Sequence, residues 1–214
     1  PIYYSDYIYL RDKLVSLSGK KLQSKRNHIN KFKSLYPDYE YRELTPELIP
    51  QCLEVERQWR AVSKEDNGDE PDEELSEELR SMTRAFNRWD KLGLTGGAIF
   101  VEGRMVAFTY GCPINQTTFD VCVEKADVGY EGAFAIINQE FAKHIPEQYY
   151  YINREEDMGD EGLRRAKLSY KPDILLEKNV IMETHPLADF EDQGRIRQET
   201  MELWRSTFGD PEEF

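Results

Sequence analysis

The chain is poor in the residues that would place it in several large classes. It has three histidines and three cysteines in 214 residues. His28, His144 and His185 lie far apart and none falls in an HxxxH or HExxH pattern, so no metal site is expected. Cys52, Cys112 and Cys122 are an odd count without CxxC spacing, which excludes a disulfide framework and reads as three small hydrophobes in a reducing compartment. No run approaches the roughly 20 apolar residues a membrane helix needs, so no integral membrane segment is expected. There is no charged-then-apolar leader, and the expected location is the cytoplasm. A GxSxG elbow and a Walker A loop are both missing. Basic charge is also short: 28 Lys+Arg face 41 Asp+Glu, a net charge of −13 that disfavours general nucleic-acid affinity.

What is present suffices for a folded core. The chain is 39% hydrophobic and 12% aromatic, too apolar for wholesale disorder and long enough for one large domain. It opens at Pro1 without a methionine, as a piece of a longer protein would. The charge is unevenly spread. Between Arg11 and Lys33 eight basic residues oppose only Asp12, whereas from Lys64 to Glu78 nine acidic residues oppose only Lys64. The basic stretch can attract a phosphate-bearing ligand locally. The loop from Ser63 with Glu74 at its twelfth position echoes a calcium loop, but it begins with Ser and contains Pro71.

Periodicity predicts a helix over Lys20–Tyr36, with Leu22, Ile29, Phe32 and Tyr36 on one face, stopped by Pro37. A strand follows at Tyr39–Leu44, then a helix entered at Thr45 and running to Trp59, a polar loop over Ala61–Pro71, and a helix over Asp72–Lys91. Thr95–Val101 and Met105–Cys112 flank a hairpin turn, and Thr117–Glu124 is a third strand. A helix over Glu131–His144 with Phe134, Ile137 and Phe141 on one face is closed by Pro146. A strand at Tyr149–Asn153, a helix at Asp160–Ser169, a strand at Asp173–Glu183 and an amphipathic tail helix complete the order. This is an α/β (α+β) mixed sheet with helices on both faces, in the element order of the GNAT acyltransferase fold.

Ordinary acetyltransferases seat the coenzyme A pyrophosphate on an Arg/Gln-x-x-Gly-x-Gly/Ala loop at a helix N-terminus. Here the corresponding segment is Asp127-Val128-Gly129-Tyr130-Glu131-Gly132-Ala133. It lacks the Arg or Gln and carries two acids. The segment Asn153 to Leu163 concentrates an amide, a guanidinium and several carboxylates around Gly159 and Gly162, just after a strand where such sheets open to ligands. Acyl transfer needs an oriented acceptor, a proton shuttle and a positive partner for the developing oxyanion. Asp157 or Glu155 can hold an amine or act as base, Lys167 can bind a phosphate or the oxyanion, and Tyr170 can protonate a leaving group.

The runs SGKKLQSKRNHINKF (Ser18–Phe32), NREEDMG (Asn153–Gly159) and GLRRAKLSY (Gly162–Tyr170), with EKAD at Glu124 and GAF at Gly132 between them, resemble one family. It is the soluble bacterial group similar to the C-terminal domain of phosphatidylglycerol lysyltransferase, and the resemblance covers Tyr7 to Glu183. It implies a GNAT-like domain that takes an amino acid from aminoacyl-tRNA, related to the Fem-type transferases, with no acetyl-CoA. It also implies an upstream GNAT-like domain. On that division residues 1–36 are a basic linker and helix, 37–184 the GNAT-like domain, and 185–214 a tail opening a further domain.

The expected function is direct aminoacyl transfer to a lipid, peptide or small-molecule acceptor. The alternatives are an acetyl-CoA-dependent N-acetyltransferase and an inactive GNAT-fold binding module. The expected catalytic residues are Asp157, Lys167 and Tyr170. The expected substrate-binding residues are Asn153, Glu155, Gly159 and Gly162, with Lys25, Arg26 and Asn27 for donor phosphates.

Overall fold

The computed structural model describes residues 5–67 and 73–178. Its strands are β1 (Ser5–Leu10), β2 (Glu40–Glu43), β3 (Thr95–Val101), β4 (Arg104–Pro113), β5 (Thr118–Ala126), β6 (Tyr151–Asn153) and β7 (Ile174–Glu177). Its α-helices are α1 (Arg11–Ser16), α2 (Gln23–Leu35), α3 (Ile49–Asn67), α4 (Glu73–Phe86), α5 (Ala133–His144) and α6 (Glu161–Ser169). The strands form one sheet in the order β2-β3-β4-β5-β6-β1-β7. Every neighbouring pair is antiparallel except β5 and β6, which are parallel and joined through α5. A parallel pair requires such a crossover.

Alternating side chains of the central strands feed two cores. Ile99, Val101 and Ala107 point to the side where Leu14, Phe32, Ile136, Ile137 and Phe141 pack from α1, α2 and α5. Ala98, Phe100 and Phe108 point to the other side, against Cys52, Val55, Met82 and Phe86 from α3 and α4. Both faces of β3 and β4 are thereby buried, which explains their nearly unbroken apolar runs. Glu102 and Gly103 have φ values of 50° and 80° in the β3–β4 turn, the left-handed pair a tight hairpin uses.

Two irregularities open the sheet beside this rigid half. The β4–β5 ladder pairs Tyr110 with Val123 and Gly111 with Val121, so Cys122 is an extra residue on β5. Such a bulge bends its strand and redirects the following side chains. The parallel ladder then ends early: Thr118, Phe119 and Asp120 pair with Tyr151, Ile152 and Asn153, and no pair joins the strands beyond. The ladder does not continue between the rest of β5 and the chain after β6, leaving an opening in the sheet that buried side chains line.

The mixed sheet with helices on both faces is the GNAT-like arrangement expected from the order of elements, with corrections. Residues 1–36 are not a linker: β1 lies inside the sheet between β6 and β7, α1 and α2 pack on α5, and one compact unit spans Pro1–Lys178. The alternation of Tyr7 and Tyr9 was the overlooked strand signal. The stretch expected as a loop from Ala61 begins as the last turns of α3. On α5 the buried face is Ile136, Ile137 and Phe141, whereas Phe134 is exposed. The tail readings and part of the acidic loop fall outside the described residues. No helix among the described residues is long and apolar enough to cross a membrane.

Gly111 makes the bulge possible. A Cβ there would stand 1.7 Å from the Asp120 carbonyl oxygen and 2.9 Å from the Phe119 ring. Gly111→Ala must push β4 from β5 and is expected to lower the unfolding free energy by about 3 kcal/mol, read from urea denaturation.

Candidate functional site in the sheet opening

Arg154 leaves β6 and turns into the cleft, where its Nη2 donates to Glu124 Oε1 on β5 at 2.8 Å. Both side chains are 11% exposed. Asn138 of α5 donates to the other oxygen of Glu124 at 3.1 Å. Arg154 lies 5.0 Å from the centroid of the Tyr170 ring and 5.8 Å from that of Tyr9, and the rings meet edge to face. Lys25 of α2 stands 4.3 Å from the Tyr170 centroid. Two buried polar atoms here have no hydrogen-bond partner among the described residues, Arg154 Nη1 and Asn138 Oδ1. An orphaned donor and an orphaned acceptor flanking one carboxylate are costly without a bound group to satisfy them. Burial pushes the Tyr9 and Tyr170 phenols up and, with Arg154 nearby, pushes Lys25 down. The phenols stay protonated near neutrality.

The expected catalytic residues Asp157 and Lys167 instead hold the loop that presents Arg154. Asp157 is fully buried and accepts from Tyr7 Oη at 2.6 Å, Gly159 N at 2.9 Å, and Arg164 Nε at 2.7 Å and Nη2 at 3.0 Å. The Arg164 hydrogen bonds hold its carboxyl well below the usual carboxylate range. A carboxylate so engaged is a staple and a poor base. Lys167 donates to the carbonyls of Arg154 at 2.6 Å, Glu155 at 3.2 Å and Glu156. Desolvation first, then the Arg154 charge, brings its ammonium down to about 8. Its three donors are spent on the loop that it grips. Tyr9 Oη donates to the Lys167 carbonyl at 2.7 Å, tying β1 to the end of α6. Of the expected trio only Tyr170 borders the opening.

The side chains on the other face of the junction form a second cluster. Asn153 donates to Asp6 Oδ2 at 3.0 Å and accepts from Glu155 N at 2.9 Å. Lys178 pairs with Asp6 and Glu156, at 2.7 Å each. Glu155, held at φ 54°, lies close to Asp120; desolvation and that carboxyl lift it to about 7. Asp120, Cys122 and Glu155 bring ligand-type atoms within 4.8 Å of one another. The expectation of no metal rested on His and Cys spacing and did not weigh this mixed oxygen and sulfur set. Burial disfavours ionisation of the Asp120 and Glu155 carboxyls, and Asp120 adds to the effect on Glu155, as close like charges do. Burial raises the thiols of Cys112 and Cys122, so neither is poised as a thiolate.

The remaining expected residues divide as follows. Lys25 belongs to the opening. Arg26 turns away, donating to the carbonyls of Leu17 and Gly19 and to Gln23. Asn27 is exposed and accepts from Gln23 at 2.8 Å. Gly159 closes the Asp157 turn at φ 88°, while Gly162 lies in α6 behind Asp160, whose carboxylate caps Leu163 N at 2.5 Å. The sequence reading did not single out Glu124, Arg154, Tyr9 or Asn138 individually. Arg154 was legible as the guanidinium in the polar run after β6; Glu124 and Asn138 meet it only in three dimensions.

The start of α5, where a coenzyme A pyrophosphate would sit, is occupied. Gly129 N donates to Asp127 Oδ1 at 2.9 Å, and Asp127 pairs with Arg104 at 3.0 Å. The N–H groups of Tyr130 and Ala133 turn back onto carbonyls of the same loop. A Cβ on Gly132 would stand 2.5 Å from the His28 carbonyl, so α2 roofs the helix end.

Residues 3–181 match the family model for phosphatidylglycerol lysyltransferase, C-terminal. The chain belongs to that family. A crystal structure of a conserved protein of unknown function from Bacteroides thetaiotaomicron is 54% identical, with a TM-score of 0.76 over 82% of this chain and 58% of that one. L-PGS from Bacillus licheniformis is 16% identical, with a TM-score of 0.53 over 84% of this chain and 62% of that one, a likeness of fold. An uncharacterized protein of Mycoplasmoides gallisepticum is 22% identical over 83% of this chain and 56% of its own length. The chain therefore spans 56% to 62% of the length of these three proteins.

The Asp157 staple sets a pH dependence. Its carboxyl is lowered on folding, so its stabilisation is complete above the unfolded value near 3.9 and is lost as pH falls through the folded one. Urea unfolding of Asp157→Asn is expected to show a loss of about 3 kcal/mol at pH 7 and a flatter decline below about pH 4 than the wild type. Glu155 carries the opposite sign. Its carboxyl is raised on folding, so its ionisation disfavours the fold as pH rises through about 7. Glu155→Gln is expected to gain stability relative to wild type above pH 7 and none at pH 4.

Proposed function

We propose that this domain takes part in aminoacyl transfer from aminoacyl-tRNA to a lipid, peptide or small-molecule acceptor, at the opening between β5 and β6. The observation that carries this reading is the unpartnered, buried Nη1 of Arg154, held in the cleft by Glu124. Ester aminolysis or transesterification develops negative charge on the carbonyl oxygen, and a pre-set guanidinium N–H in a dry cleft stabilises that charge more than water does. The acceptor's oxygen or nitrogen adds to the carbonyl carbon, and its proton passes on to the departing ribose oxygen. Family membership supports the aminoacyl donor, because phosphatidylglycerol lysyltransferases are named for moving lysine onto a lipid. The raised thiols beside the cleft favour direct transfer over a cysteine-bound intermediate.

The occupied end of α5 speaks against acetyl-CoA as donor. The self-satisfied staples of Asp157 and Lys167 favour a second reading, a binding module without turnover, since those residues have nothing left to offer a substrate. The unpartnered atoms in the cleft favour chemistry or ligand capture over idleness.

The test uses the full-length protein with labelled aminoacyl-tRNA and a lipid extract of its host. Transfer to a lipid, peptide or amine is expected, and Arg154→Lys, which keeps the charge but loses the fork, should slow it about 100-fold. Calorimetric titration of acetyl-CoA is expected to give no heat. Micromolar acetyl-CoA binding would replace this reading with an ordinary acetyltransferase, and absence of transfer from every charged tRNA would leave the binding module.

A further inference from the structure

We infer that Lys25 and Arg154 together form a subsite for one phosphodiester of an RNA 3′ end, a deepening that rests on the aminoacyl-tRNA reading above. The cleft is short of negative charge. Two cationic groups from different elements, Lys25 on α2 and Arg154 after β6, approach the same Tyr170 ring at 4.3 Å and 5.0 Å. Glu124 is the carboxylate paired with Arg154, and it divides its oxygens between Arg154 Nη2 and Asn138 Nδ2. Among the described residues Lys25 makes no hydrogen bond and no ion pair, and Arg154 Nη1 has no partner. The destabilised ammonium of Lys25, pushed down by burial and by Arg154, reflects the same deficit.

The missing partner has the features of a phosphodiester followed by a ribose. Its two non-bridging oxygens take one donor each from Lys25 and Arg154, and its charge persists at every physiological pH. The orphaned Asn138 Oδ1, 4% exposed as a residue, lies on the other side of Glu124 and takes a hydroxyl proton, which a ribose supplies and a deoxyribose lacks. Lys20, Lys21, Lys31 and Lys33 stand exposed along the same segment as Lys25. They extend the positive charge beyond one phosphate, as a polymer requires, in a chain whose total is −13. Tyr9 and Tyr170 are 0% and 5% exposed, so their rings shape the subsite and offer no base-stacking platform. Lys25 is therefore placed to bind the donor, and Arg154 to bind the donor and face its ester.

The probe is the ribodinucleotide cytidylyl-(3′→5′)-adenosine, which has one phosphodiester and no amino acid, titrated into the full chain by NMR at low ionic strength. Saturable binding is expected, weakened about tenfold by Lys25→Met, restored by Lys25→Arg, and weaker for the deoxy dinucleotide. Met keeps the aliphatic packing of Lys25 on the ring, and Arg154→Lys provides a second variant from the other side of the subsite. Binding unchanged in both variants would overturn the inference. So would an absence of saturation, or selective binding of glycerophosphoglycerol through Lys25, which would make the phosphate that of a lipid headgroup. The parent reading fails separately. Dinucleotide binding that depends on Lys25, in a protein that transfers no amino acid, removes the transferase and keeps the subsite. Transfer with an unchanged KM for tRNA in Lys25→Met does the reverse.

Discussion

The ion pair between Arg154 and Glu124 spans the place where β5 and the chain after β6 part. A sheet normally satisfies its backbone groups strand against strand, and a parting of strands must be compensated by side chains. Here the bulge at Cys122 bends β5 away, the β5–β6 ladder stops at Asp120 and Asn153, and a guanidinium reaches across the gap. Burying both charges is costly, and attraction alone does not recover the cost unless every donor finds a partner. One donor does not. The protein therefore holds an arginine in a state that a ligand would complete.

Holding it requires the polar loop after β6 to be rigid. That loop is gripped from beneath by the Lys167 ammonium on three successive carbonyls, and from its far end by the Asp157 carboxylate on Tyr7, Gly159 and Arg164. The same residues that look most chemical in a linear reading are thus consumed in fixing backbone. A lysine with three fixed acceptors and a carboxylate with four donors are building materials. Arg154, less conspicuous among its acidic neighbours, is what they present.

Two clusters of opposite character meet at this junction. On one face two cations, only Arg154 of them paired with a carboxylate, stand beside buried tyrosines; on the other, Asp6, Asp120 and Glu155 crowd together with Asn153 and Lys178. Adjacent residues Arg154 and Glu155 point to different clusters, with the left-handed backbone at Glu155 (φ 54°) turning the chain just after β6. The separation lets a net acidic protein keep a locally positive cleft.

Much of this was legible in the sequence by itself. Apolar spacing located α2, α5 and the β3–β4 hairpin, since helices and strands must bury a periodic face, and Pro37, Gly103 and Pro146 marked their ends. The polar run after β6 announced a site because glycines and charges rarely follow a buried strand without a ligand or a clamp to justify them. The missing phosphate-loop Arg or Gln, with the acids Asp127 and Glu131 beside its place, was enough to doubt coenzyme A. Only tertiary structure decided which charges were free. Whether Lys167 meets a substrate or three carbonyls depends on where α6 lies against the loop, and whether Arg154 is satisfied depends on Glu124 and Asn138, 30 and 16 positions upstream. The place of β1 in the middle of the sheet was hidden for the same reason. Its partners come from the far end of the domain, and a strand's neighbours are set by the packing of the whole core, to which local periodicity is blind.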